Sequence, residues 1–161
     1  MARGDKIGRS QLKCNGVERL AQLLHFGASA VRPQGVSAGG MAGINVGAKS
    51  SVLFFTALAS LDDAVVATVS TSTATIAGVD PGRAKVSFIT EFPGKGRATG
   101  GVRAHGFLKG EDVLAVAWVG TAPAVAVAPD GAARQLPEAG AKRDASGTPL
   151  DGVIGSIGSS I

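Results

Sequence analysis

The sequence predicts an all-β protein assembled from repeated, blade-like sheets, and three observations predict it. The first is composition. Among 161 residues, 45% are hydrophobic, mostly Ala and Val, while 24 are Gly, 7 are Pro and 4% are aromatic. Branched side chains favour the pleated strand, and Gly and Pro favour tight turns. The second is that no stretch gives a helical apolar stripe with capping residues at its ends. The third is self-similarity. The shift along the chain that lays Gly35 on Gly96 also lays Gly39 on Gly100, Gly40 on Gly101, and Val52-Leu53 on Val113-Leu114. Repeats of about 40–60 residues made of short strands behave as blades. One alone cannot bury both faces, but neighbours stacked around an axis can.

Taken in order, positions 1–20 lie outside the repeat, and Arg3, Lys6, Arg9, Lys13 and Arg19 make them a basic arm. Three blade repeats follow, at about 21–62, 63–120 and 121–156, with 157–161 as a flexible tail. Strands are expected near 22–26, 52–58, 64–70, 73–77, 84–89, 112–119 and 124–128. Asp80-Pro81-Gly82 and Pro129-Asp130-Gly131 are turns, because Pro presets one backbone angle and Gly accepts a positive φ. "LKGED" at 108–112 is a further turn. In the third copy "VAVAPDGAARQLPEAG" reads as a hairpin. "AKRDASGTPLDG" then sets Arg143 before Gly147 at the same spacing that separates Arg97 from Gly101. "GVIGSIGSSI" reads as a final strand that frays.

Several functions are disfavoured by what the chain contains. Sixteen Lys and Arg against twelve Asp and Glu give a net charge of +4, a mild invitation to a polyanion. One cysteine, Cys14, rules out an internal disulfide framework and fits a reducing cytoplasm; with only His25 and His105 beside it, no metal-ligand cluster is visible. The longest uncharged run, Val113 to Pro129, is broken by Gly120, Thr121 and Pro123 and suits a membrane poorly. The glycine-rich stretch "EFPGKGRATGGVR" is no phosphate loop: Gly94-Lys95 is followed by Gly96, and the opening glycine falls on Ile89. Gly94, Gly96 and Gly100 also miss the dinucleotide spacing by one position. The chain has no tyrosine, so it carries no tyrosine-linked covalent chemistry. His25 and His105 read as ordinary strand or turn residues, and Trp118, Phe54 and Phe55 as core.

At "VRPQGVSAGGMAGINV" and "KGRATGGVRAHGFLKGED" the sequence resembles the repeats of the C-terminal domain of the type IIA DNA topoisomerase A subunit. That bacterial family comprises the A subunits of DNA gyrase and of topoisomerase IV. The likeness runs from about Gln22 to Gly155; "KGRATGGV" is its most specific element, and "KRDASGTPLDG" is weaker but in the right order. It implies a β-pinwheel, a propeller-like disc whose blades exchange strands and whose basic rim bends duplex DNA. It further implies no catalytic residue and no cofactor on this chain. Its partners would be double-stranded DNA, a separate catalytic core and an ATPase B subunit, together an ATP-dependent isomerase in the cytoplasm at the nucleoid. The family disc has five or six blades. About three here imply an incomplete disc and a piece of a longer A subunit. The gyrase-type heptad Gln-Arg-Arg-Gly-Gly-Lys-Gly is absent, so a topoisomerase IV-like role fits better than gyrase-style wrapping and supercoiling.

The expected DNA contacts are cations on the glycine-rich turns. They are Arg32 and Lys49 in the first copy, Lys95, Arg97, Arg103 and Lys109 in the second, and Lys142 and Arg143 in the third. Val36 takes the place that Arg97 holds in the second copy. Cations neutralise phosphates, and glycine lets backbone N–H groups come close; neither reads sequence. The competing readings are a propeller-like module that binds a protein through its rim, and a small hydrolase.

Overall fold

The computed structural model describes residues 8–14, 21–48, 50–76 and 78–160, which fold into three sheets. The first contains β1 (Gly8–Cys14), β2 (Gln22–Gly27), β3 (Ser51–Leu58) and β6 (Val102–Arg103), in the order β3-β1-β2-β6. The second contains β4 (Ala64–Thr71), β5 (Arg83–Phe88), β7 (Val113–Thr121) and β10 (Thr148–Pro149), in the order β10-β5-β4-β7. The third is β11-β8-β9, from β8 (Ala124–Val127), β9 (Ala133–Arg134) and β11 (Ser156–Ser159). All of the strand pairs in these sheets are antiparallel.

The second sheet is the middle layer. Its central strand β4 is buried from Ala64 to Ser70, which a Val/Ala strand covered on both faces requires. Ala64 and Val66 pack with Ala21, Leu23, Phe92 and Ala104. On the opposite face Val69 packs with Ala126, Ile154 and Ile157 of the third blade, and Val65 and Ala67 pack with Trp118. Each fully buried Val contributes about 1.5–3 kcal/mol.

The repeat is visible in the backbone. Gln22–Gly27 and Arg83–Phe88 are related by the same shift that relates the glycines, and each leads into a one-turn 3-10 helix, Ala28–Ala30 and Ile89–Glu91. Gly27 (φ −66°, ψ 141°) and Phe88 (φ −69°, ψ 144°) enter those turns in the same conformation. β1 and β4 both break register once, between Leu12 and Lys13 and between Val69 and Ser70. The bulges skip Leu53 and Ala115 on the opposing strands, so Leu53 of β3 matches Ala115 of β7 and not Leu114, its counterpart in the sequence alignment.

Blades are joined by exchange. β6 follows the glycine-rich turn of the second copy, yet it pairs with β2, Leu23 opposite Val102. β10 follows the third turn and pairs with β5, Ala84 opposite Thr148. Each copy thus hands a short strand back to the preceding sheet. Glycine is required where the strands meet. A Cβ on Gly101 would stand 2.6 Å from the Leu23 carbonyl oxygen, and one on Gly147 would stand 2.8 Å from that of Ala84. Leu23 and Ala84 are themselves equivalent positions of the repeat.

Four expectations are corrected. Residues 8–14, assigned to an arm outside the repeat, form β1 in the interior of the first sheet, flanked by β2 and β3. Residues 73–76 are turn and bend rather than strand, because Ser72 takes hydrogen bonds from Ala74 and Thr75 locally and the Asp112 side chain takes that of Thr73; residue 77 lies outside the described residues. Ile157 to Ser159, assigned to a tail, pair with β8 in β11. Phe55 is half exposed, because it points to the face of β3 opposite Phe54.

Because Gly101 abuts backbone that cannot swing aside, Gly101→Ala is expected to lower the unfolding free energy by about 1–3 kcal/mol. Gly39→Ala, with nothing within 4 Å of its added Cβ, is expected to stay within about 0.5 kcal/mol of wild type. Urea denaturation of the two variants measures both.

Candidate nucleic-acid interface

The glycine-rich turns of the second and third copies are anchored in the same way. In the second, Lys95 N donates to His25 O (3.1 Å), Asn45 N to Thr99 O (3.0 Å) and Ala104 N to Ala21 O (2.9 Å). In the third, Ala141 N donates to Val86 O (3.1 Å), Gly106 N to Ala145 O (3.0 Å) and Leu150 N to Gly82 O (3.0 Å). Each bond in one set has its counterpart in the other, one copy further along. The turns are therefore pinned through main chain to the preceding blade, and their side chains start from fixed roots.

Two of the expected contact residues are partly engaged within the protein. Arg97 Nη1 donates to Ala42 O at 2.6 Å, and Arg143 Nη1 donates to Arg103 O at 3.5 Å. Ala42 and Arg103 lie at equivalent places in successive copies. The recurring arginine is thus a staple between blades. A guanidinium has five N–H donors, so the staple leaves donors for a phosphate. Lys95 is exposed and donates from Nζ to Gly100 O at 3.0 Å within its own turn.

Arg32 lines one concavity with Arg97, Phe26 and Phe55, and its side chain is exposed. Arg103, Lys109 and Lys142 are exposed. Lys142 and Arg143 share a turn beside Arg103, whereas Lys109 stands apart in the 108–111 turn, closed by Glu111 Oε2, which accepts from Leu108 N at 2.8 Å. Lys49 lies outside the described residues. Val36, at the place of Arg97 in the first copy, is fully exposed.

Sequence reasoning missed two cations on β5. Arg83 Nε donates to Gly147 O at 2.9 Å and pairs with Glu111 Oε1 at 3.5 Å. Lys85, almost fully buried, donates from Nζ to Lys142 O at 2.8 Å and to Arg143 O. Both therefore grip the backbone of the third turn. The corresponding residues of β2 are Gln22 and Leu24, so the second turn has no such grip. The available signal was a lysine within the apolar run "AKVSFI".

Lys85 belongs to a buried polar cluster with Thr68, its cross-strand partner, and His105. Burial pulls the Lys85 ammonium down to about 8; Asp144 and Glu91 oppose that shift and Arg143 adds to it. Burial, with Lys85 and Arg83 nearby, pulls His105 down to about 4. The imidazole is therefore neutral at neutral pH, sharing a 2.9 Å hydrogen bond through Nδ1 with Thr68 Oγ1. His25 instead donates from Nε2 to Phe92 O at 2.8 Å, tying β2 to the second turn. Neither histidine joins an acid–base pair. Among the described residues no group of three His, Cys, Asp or Glu is placed to hold a metal ion.

The exchange of strands between stacked sheets defines the chain as an arc of a β-pinwheel, the fold of topoisomerase C-terminal domains. It is similar to the crystal structure of the C-terminal domain of DNA topoisomerase IV, with a TM-score of 0.70 at 17% identity, over 96% of this chain and 46% of that one. In sequence it is 33% identical over 104 residues to topoisomerase subunit TopoM of Mycolicibacterium smegmatis. That match covers 63% of this chain and 13% of TopoM, so the chain spans a small part of that relative's length. No protein-family model matches.

Acid should act through His105. Its folded-state value lies below its ordinary one, so between about pH 6.5 and about pH 4 the unfolded chain binds the extra proton and stability falls with pH. The loss attributable to this residue is up to ~3 kcal/mol. Urea unfolding at the two ends of that window is expected to show a smaller loss for His105→Gln than for wild type.

Proposed function

We propose that this chain binds duplex DNA without sequence preference and bends it along the outer edge of the blade arc. In this reading it is the C-terminal accessory domain of a type II topoisomerase A subunit, serving a separate catalytic core and its ATPase partner. The supporting observation is the recurrence of a cation-bearing turn, pinned by equivalent backbone bonds, on successive blades. Lys95 and Arg97 present one set of charges, and Arg103, Lys142 and Arg143 the next. Contacts of this kind hold phosphates and release counterions. Smooth bending of a 20–30 bp site costs on the order of 1–6 kcal/mol, and contacts repeated blade by blade offset it. The missing gyrase-type heptad favours a topoisomerase IV-like handling of crossings over strong wrapping. A chain with six Phe, one Trp and no Tyr offers little platform for stacking single-stranded bases.

A salt titration of duplex affinity tests this. The wild type is expected to lose affinity steeply and equally for unrelated sequences. Lys95→Ala should flatten the log–log salt slope by about one unit. Arg97→Ala should do the same and also reduce the bend read by energy transfer between duplex ends, because the staple to Ala42 is lost. Affinity indifferent to salt would contradict the proposal.

A further inference from the structure

The two basic turns differ behind their surfaces. Behind the second stand Gln22 and Leu24. Behind the third stand Arg83 and Lys85, both aimed at main-chain carbonyls. A cation 2% exposed, in a strand where the first copy carries Leu, is costly to keep unless its donors are used. Here they are used on the turn that carries Lys142 and Arg143.

We propose that Lys85 is a positioning residue for duplex binding. Without touching the DNA, its ammonium holds the third basic turn by the carbonyls of Lys142 and Arg143, so that affinity depends on whether Lys85 carries its proton. This rests on the DNA-binding reading above. Charge-assisted hydrogen bonds are roughly twice as strong as neutral ones, and losing the proton weakens both at once. Each carbonyl shares a planar trans peptide with the next N–H, so the grip also fixes the N–H groups of Arg143 and Asp144, directed away from Lys85. The basic side chains of the turn, Lys142 and Arg143, are thereby held in one arrangement.

The charged groups around the ammonium come from three elements. Asp144 and Arg143 face it from the third turn, Glu91 from the 3-10 helix after β5, and Arg83, paired with Glu111, stands two residues away on β5 itself; the neutral His105 is bonded to Thr68, the cross-strand partner of Lys85. Burial keeps Lys85 near a titration midpoint of about 8, so modest alkalinity removes its charge. Linkage is reciprocal: if the charged form binds duplex better, bound duplex must raise that midpoint.

The experiment has two arms on the 161-residue chain. The first measures affinity for a fluorescent mixed-sequence duplex at about pH 7 and about pH 9.5, for wild type and Lys85→Met. Wild type should weaken by about three- to tenfold between the two, which corresponds to a midpoint raised by about half a unit to one unit. Lys85→Met should bind weakly at both and change little between them. The second arm needs no variant, which guards against a Lys85→Met chain that fails to fold. The Lys85 side-chain resonances of wild type are titrated with and without the duplex, and the midpoint should rise when it is bound. A midpoint unmoved by bound duplex, or a folded Lys85→Met with wild-type affinity and pH profile, overturns the role of Lys85 and leaves the DNA-binding reading standing. Absence of duplex binding by wild type at low salt overturns both.

Discussion

A backbone contact with no room for a side chain underlies the arrangement: Gly101 against Leu23, repeated by Gly147 against Ala84. It lets a strand from one copy join the sheet of the copy before it. Strands as short as Val102–Arg103 and Thr148–Pro149 are too small to hold by themselves. Here each is the visible part of a larger seam, in which turn amides donate to the preceding copy and the Asn45 and Gly106 amides of that copy's loops donate back. Blades built this way are locked to each other through main chain as well as through the Val/Ala layers between them.

The seam has an electrostatic consequence. Turns that would otherwise be mobile loops become fixed mounts for positive charge. The arginines divide their donors between the neighbouring blade and solvent, so Arg97 and Arg143 contribute to architecture and to surface potential together. Isolated surface cations contribute little to stability. Those on β5 are different, because Lys85 is buried against two carbonyls of the third turn and Arg83 divides its donors between Gly147 O of that turn and Glu111. Burial first, and then the charge of Lys85 and Arg83, keeps His105 neutral: an imidazolium there would be buried and would face two other cations.

Much of this was legible in the sequence, and the exceptions have physical causes. Long strands such as Ala64–Thr71 and Val113–Thr121 announce themselves by composition. Glycine spacing exposed the repeat, because the seam tolerates no other residue at Gly101 and Gly147. β1 escaped because "GRSQLKC" is mostly polar, and because fewer residues separate it from β2 in the sequence than separate β4 from β5, which breaks the spacing. The shortest strands, β6, β9 and β10, lie below the reach of any periodicity. The connection ahead of β7 is one residue longer than that ahead of β3, Asn45 matching Gly106 but Leu53 matching Ala115, which put β3 one position out of the sequence alignment with β7. The site was half legible. Exposed cations on glycine turns could be picked out, but the partners of Arg97, Arg143 and Lys85 are backbone carbonyls, which have no signature in sequence.

Amide hydrogen exchange tests the seam most directly. The Ala104 and Leu150 amides, bonded to Ala21 O and Gly82 O, follow the short exchanged strands and would exchange quickly if those strands were loose additions. If the blades are locked as described, both should exchange only through global opening, with the same free energy as central amides of β4 such as Ala67. Protection several kcal/mol weaker at Ala104 and Leu150 than at Ala67 would contradict it.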